Sequence, residues 1–146
     1  MIKRKKGIVI PGSKGRSIVI DITYSEDNQN KPLIIFSHGF KGFKDWGPFD
    51  AMATYFANNG FVFLKFNFSH NGTTLDTLLD FSDLEAFGNN NFSKELDDLG
   101  LVLNWIEETE LLSNEIDLEF ISLFGHSRGG AISMLKVRED NRIHKL

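Results

Sequence analysis

Five consecutive residues, Gly125-His126-Ser127-Arg128-Gly129, hold the strongest chemical signal in the chain. They form the pattern G-x-S-x-G between a β-branched and aromatic run, Leu118 to Phe124, and an apolar helical segment. A serine on a sharp strand-to-helix turn exposes its hydroxyl above a sheet, and the helix N-terminus behind it favours developing negative charge. Small neighbours are needed because so tight a turn crowds them. The chemistry implied is attack by Ser127 on an acyl carbonyl. The competing reading is a glycine-rich turn with an incidental serine. It is the weaker one, because Gly129-Gly130 also lets the following helix pack close to the strands.

Attack on a carbonyl builds an oxyanion, which needs preorganised donors. One is the backbone N–H after the nucleophile, here Arg128, and the other comes from the loop after the first buried strand. That loop reads His38-Gly39-Phe40-Lys41-Gly42, which assigns the second donor to the Phe40 N–H. His38 itself is expected to be a buried histidine bonded to backbone.

The elements around these residues follow from pattern. Residues 5–10 and 16–23 are β-rich runs separated by Pro11-Gly12-Ser13-Lys14-Gly15, a turn by composition, and read as an antiparallel hairpin. Leu33 to Phe36 is apolar at consecutive positions, the mark of a strand buried on both faces, and Phe61 to Phe66 reads as a second buried strand. Between them a helix begins near Pro48, shows Phe49, Met52, Ala53 and Phe56 on one face, and stops at Gly60. Phe68 to about Asn91 reads as a long loop with one helical turn at most, and loops of that length are often functional. A helix from Ser93 to about Glu108 buries Leu96, Leu99, Leu103 and Ile106. Asp97-Asp98 and Glu107-Glu108 are assigned to its solvated face. Leu118 to Phe124 is a third buried strand and Ser127 to Arg138 a last helix. Alternating strands and helices imply an α/β domain with a mostly parallel sheet and helices on both faces.

Composition narrows the function class. The 146 residues suffice for one domain with a real core. A net charge of −4 argues against nucleic acid as a partner. With no cysteine there is no thiol nucleophile or cysteine-based metal site, and no histidine–carboxylate spacing suggests a metal. No cofactor is expected. No apolar stretch approaches the roughly 20 residues that span a bilayer, so no membrane association is expected. The basic start, Lys3-Arg4-Lys5-Lys6, lacks a following h-region, which points to a cytoplasmic protein with a charge-protected edge strand.

Taken together, Phe36-Ser37-His38-Gly39-Phe40-Lys41-Gly42, Asn67-Phe68-Ser69-His70-Asn71-Gly72 and Gly125-His126-Ser127-Arg128-Gly129-Gly130 resemble the α/β-hydrolase superfamily. Within it they look most like the dienelactone-hydrolase, cinnamoyl-esterase and acyl-peptidase-like branch. In that branch the segment after the second parallel strand often reads D-F-R-G-H-G, where this chain has N-F-S-H-N-G. The resemblance runs from about residue 16 to the end and covers only the N-terminal half of such a protein. It implies a single partial domain over residues 1–146, truncated after the nucleophile helix. It places a nucleophile on Ser127 and oxyanion donors on Phe40 and Arg128. The substrate implied is a small molecule with an ester or related acyl bond.

The resemblance supplies no acid and no base. Both follow the serine in that superfamily, and only Glu139, Asp140 and His144 do so here. A helix of about 12 residues carries the chain roughly 18 Å away from Ser127, too far for a catalytic hydrogen bond. These residues are expected in the turn before a further strand that begins at Ile143. His70 lies at a strand exit on the same rim as Ser127 and is either a substitute contact or part of the loop. His126 adjoins the serine and is expected to point away. Phe40, Phe43 and Trp46 either line an acyl pocket or pack as aromatic core.

Two functions follow. One is an incomplete serine hydrolase, inactive alone. The other is a non-catalytic module that binds a partner or a second copy through the strand at 118–124, left as an exposed apolar edge.

Overall fold

The apolar runs become the strands of one six-stranded sheet in a computed structural model that describes residues 1–146. The strands are β1 (Ile2–Pro11), β2 (Ser17–Ser25), β3 (Lys31–Ser37), β4 (Val62–Asn67), β5 (Ile116–Gly125) and β6 (Ile143–Lys145), in the spatial order β1-β2-β4-β3-β5-β6. β1, β2 and β4 pair antiparallel, whereas β3 pairs parallel with β4 and β5, and β5 with β6. The helices are α1 (Phe49–Asn58), α2 (Leu84–Gly88), α3 (Phe92–Glu108) and α4 (Arg128–Glu139). No helix is long and apolar enough to cross a membrane.

Side chains alternate between faces along a strand, and β3 shows the consequence. Leu33 and Ile35 join a core with Leu64, Phe66, Leu99, Val102, Leu103 and Ile132, under α3 and α4. Ile34 and Phe36 point the other way, to Phe49, Ala53 and Phe63 under α1. Each fully buried Leu, Ile or Phe contributes about 1.5–3 kcal/mol relative to exposure. Helices thus cover both faces of the central strands, and the crossovers bring the ends of β3, β4 and β5 to one rim.

The elements begin and end close to where sequence pattern puts them. Pro48 stands just before α1, and Gly60 follows it at φ +84, a conformation that suits glycine. The Asn91 side chain caps α3 by accepting from the Lys94 N–H at 2.9 Å. Two readings change. β5 is not buried on both faces: Leu118, Phe120 and Phe124 are exposed, although the Phe56 ring of α1 lies 6.1 Å from that of Phe124. Nor is β5 a free edge. β6 begins at Ile143 and pairs with it at Ile121 and Ser122, so the open edge is that of β6.

Candidate functional site

Ser127 occupies a backbone conformation of φ 54 and ψ −122, which a non-glycine residue rarely adopts. Strain of this kind costs about 1–3 kcal/mol and persists only where the surroundings over-determine it. The surroundings here are glycines. A Cβ on Gly125 would lie 2.5 Å from the Gly129 carbonyl oxygen and the Gly130 Cα. A Cβ on Gly129 would collide with the carbonyl oxygens of Ser37 and His38. The turn is therefore wedged between β5 and the end of β3, and the Ser127 side chain is left exposed.

The turn after β3 meets this elbow directly. A Cβ on Gly39 would stand 3.0 Å from the Ser127 Cβ. Gly42 N–H donates to the Gly39 carbonyl at 2.9 Å, closing a tight turn that carries Phe40 and a positive-φ Lys41. The N–H groups of Phe40 and Arg128 donate to no acceptor within the chain. Phe40, Trp46, Phe49, His126 and Ser127 line a cleft of about 200 Å³ together with Gly39, Lys41 and Gly42. The Phe40 ring lies against Phe87 of α2 at 5.6 Å, and Trp46 against Phe49 at 5.6 Å. Phe40 and Trp46 thus belong to the rim of the cleft, since both are about half exposed. Phe43 is half-buried and packs edge-on against Phe81 at 5.9 Å, away from that lining.

A buried ionic network holds the Phe40 turn in place, and sequence reasoning missed it. Lys44 Nζ donates to Asp21 and to Asp45, each at 2.7 Å, while its backbone N–H donates to Asn67 Oδ1 at 2.7 Å. Lys65, in the middle of β4, donates to the Lys44 carbonyl at 2.8 Å and to Asp50 at 2.6 Å. Asp21 also accepts the Gly7 N–H at 2.9 Å, where a bulge interrupts β1. A lysine inside an apolar run, as in Phe63-Leu64-Lys65-Phe66, was the available signal. A charge facing inward from a doubly covered strand requires a partner.

On the other side of the sheet α3 supplies two buried acids one turn apart. Asp98 accepts the N–H of Ser13 at 2.8 Å, the N–H of Ser69 at 2.7 Å and the Ser69 hydroxyl. Burial pushes its carboxyl up to about 6, against the pull of those hydrogen bonds. Glu95 accepts from Arg128 Nε at 3.0 Å and from Asn90 at 2.9 Å, and burial raises it as well. Asp98 is therefore part of the core rather than the solvated face, because strand exits and the 3-10 turn at Ser13–Gly15 pack on that side of α3.

The histidines separate cleanly. His38 is buried; its Nδ1–H donates to the Gly39 carbonyl at 2.9 Å and its Nε2 accepts the Phe68 N–H at 3.2 Å. Burial lowers it to about 4, so it is neutral and structural, as expected. His70 is buried too, with Nδ1 at 2.7 Å from the Ser69 hydroxyl, which in turn donates to Asp98. It is thus tied to α3 and makes no hydrogen bond to Ser127. His126 is exposed and packs edge-on to Phe49 at 6.2 Å. His144 faces the middle of β5, where its Nδ1 accepts the Ile121 N–H at 3.4 Å. That is roughly 13 Å of strand below the end of β5 at Gly125, and further still from Ser127, at about 3.3 Å per residue. Asp140 follows α4 at its far end and is paired with Arg142 at 2.6 Å. Neither reaches the serine.

Comparison with known proteins places this geometry. No protein-family profile matches the chain, and no curated protein matches it in sequence. Solved structures do. An α/β-hydrolase from Penicillium sp. sh18 is 20% identical with a TM-score of 0.76, over 97% of this chain and 43% of its own. Est1E from Butyrivibrio proteoclasticus, with ferulic acid bound, is 19% identical with a TM-score of 0.73, over 93% of this chain and 49% of its own. A ferulic acid esterase from Streptomyces cinnamoneus is 16% identical with a TM-score of 0.69, over 97% and 56%. The chain has the α/β-hydrolase fold, and it spans about half the length of the structures it matches.

Proposed function

We propose that the chain carries the nucleophile and oxyanion-binding part of a serine hydrolase that cleaves an ester or related acyl bond. The observation behind this reading is the Ser127 backbone at φ 54, ψ −122, beside two N–H groups without an acceptor. Ser127 Oγ attacks the carbonyl carbon, and the carbonyl oxygen becomes an oxyanion held by the Phe40 and Arg128 N–H groups. Collapse of this intermediate expels the alcohol and leaves an acyl-serine, which water hydrolyses. An aromatic acyl group is the favoured substrate. Phe40, Trp46 and Phe49 offer it apolar contact, and one similar structure binds ferulic acid while another is a ferulic acid esterase.

A serine hydroxyl needs a base at neutral pH. The nitrogens of His38 and the Nδ1 of His70 are engaged elsewhere, and His144 lies far down β5. We therefore read residues 1–146 as the N-terminal part of a longer cytoplasmic hydrolase whose acid and histidine lie outside them. Alone, it keeps at most the residual catalysis of binding and oxyanion stabilisation, roughly 10³–10⁴ over water.

Labelling with a fluorophosphonate, with and without added imidazole as a surrogate base, tests both parts. The expected result is slow labelling that imidazole accelerates and Ser127→Ala abolishes. Fast labelling without imidazole overturns the incompleteness. No labelling with imidazole, or labelling that survives Ser127→Ala, overturns the nucleophile.

A second reading rests on Leu118, Phe120 and Phe124, exposed along β5, the neighbour of the open edge strand β6. It makes the chain a non-catalytic module that self-associates there.

A further inference from the structure

The two buried acids of α3 take no part in attack by Ser127, yet one of them reaches the residue after it. Glu95 accepts from Arg128 Nε at 3.0 Å, and the Arg128 guanidinium lies 4.6 Å above the Phe92 ring. Asn90 holds the second Glu95 oxygen at 2.9 Å. The Glu95 side chain is only 6% exposed and that of Arg128 20%, so the pair is shielded from water and salt on most sides. Arginine suits this place and lysine does not: its planar head stacks on Phe92 while Nε–H points at the carboxylate.

Arg128 is also the first residue of α4, directly after the strained Ser127. Its backbone N–H has no acceptor in the chain. The Ser127 carbonyl accepts only from Gly130 and Ala131. The 127–128 peptide is planar, so the helix bonds accepted by the Ser127 carbonyl orient this N–H from one end, and the Arg128 side chain can hold it from the other. The Gly129 wedge limits where the turn sits, but it does not by itself set the direction of the N–H one residue earlier. The side chain of Arg128 is anchored to a different helix, and anchoring it restricts rotation of that peptide.

We propose that Glu95 is a positioning residue: by holding the Arg128 guanidinium against Phe92, it aims the Arg128 N–H at the oxyanion site. This rests on the reading of that N–H as an oxyanion donor. A misaimed donor costs rate without costing binding, since displacement of about 1 Å can lower turnover by up to about a hundredfold. The alternative is a pair that only fastens α3 to α4. That alternative predicts lost stability and an unchanged 127–128 peptide.

The test uses the 146-residue chain. Backbone and side-chain ¹H–¹⁵N NMR follows the Arg128 amide and its Nε–H in wild type, Glu95→Gln, Asn90→Ala and Leu103→Ala. Leu103 is buried elsewhere on α3 and serves as a destabilised control. In wild type the Nε–H is expected to exchange slowly. Glu95→Gln shifts and broadens both resonances, Asn90→Ala moves them the same way by less, and Leu103→Ala leaves the Arg128 amide in place. Asn90→Ala carries the test if Glu95→Gln does not fold. An Arg128 amide that stays put, or that moves equally in Leu103→Ala, overturns the proposal. Residual hydrolysis of p-nitrophenyl acetate, corrected with Ser127→Ala, is expected to lose about tenfold in kcat with little change in KM. If the amide moves but fluorophosphonate with added imidazole labels Ser127 in no variant, the hydrolase reading fails and the positioning of the N–H stands.

Discussion

Replacing Gly129 by alanine sets two effects against each other in one helix. Propensity alone favours the change, because alanine is better than glycine in a helix by about 1 kcal/mol. Packing opposes it. The new Cβ would enter the space of the Ser37 and His38 carbonyl oxygens, which are backbone atoms at the end of β3 and cannot rotate away. Overpacking of this kind costs about 1–3 kcal/mol, and more where the neighbour is rigid. Against two fixed backbone oxygens the clash takes the upper end of that range, so it wins, and Gly129→Ala is expected to lower stability by about 2 kcal/mol net. For a chain of this size that is roughly 4–10 °C in Tm. Gly130→Ala is the matched control. Its Cβ would meet the Gly125 carbonyl oxygen at 3.4 Å, an ordinary contact, so it should be neutral or slightly stabilising. Urea and thermal denaturation followed by circular dichroism measure both. Equal stabilities for the two variants, or a more stable Gly129→Ala, would refute the claim that elbow packing against β3 holds Ser127 in its strained conformation.

Three other outcomes are expected. Burial depresses His38 to about 4 and raises Asp98 to about 6. As pH falls, the histidine withdraws stability between about 6.5 and 4, while the acid adds it between about 6 and 4. His70 is lowered and Glu95 raised, each reinforcing its own kind. In wild type the two kinds therefore work against each other as pH falls. Asp98→Asn should then lose about 1.4 kcal/mol per pH unit in that window relative to wild type, measured by urea denaturation at pH 7 and pH 5; identical slopes refute it. Lys44→Met leaves Asp21 buried without its cation and should cost about 3–5 kcal/mol, with much of it recovered in Lys44→Met/Asp21→Leu; Tm measurements decide. Phe120→Lys, at a side chain exposed on β5, should shift sedimentation velocity profiles toward the monomer, and an unchanged distribution counts against self-association through that face.

The architecture was largely legible because its signals are local. Consecutive apolar residues at Leu33 to Phe36 and the apolar-rich run from Phe61 to Phe66 mark buried strands, and both form. Pro48, Gly60 and Asn91 mark helix ends by mechanisms confined to a few residues. What failed was also instructive. Asp98 carries a polar side chain at a position that helical periodicity gives no reason to bury. Its burial comes from Ser13 and Ser69, more than 25 residues away, whose N–H groups need an acceptor. Lys65 lies inside a run read as a buried strand, and its counter-charges sit on a loop and on α1. The β5 face at Phe120 looked buried because its residues are apolar, but burial depends on which helix reaches it.

The candidate site divides in the same way. The residues proposed for attack and stabilisation, Ser127, Phe40 and Arg128, were nameable from two glycine-bearing segments, because a tight turn demands particular residue types at particular spacing. Their meeting was not nameable. Gly39 touches Ser127, Glu95 reaches Arg128, and Lys44 secures the Phe40 turn only because parallel crossovers bring the ends of β3, β4 and β5 to one rim. Sequence alone determined the local geometry and the chemistry proposed for it. Tertiary structure decided which buried charges hold the site and that His70 belongs to α3 rather than to the serine. Partners for charge and for unpaired N–H groups are chosen across the fold, not along the chain.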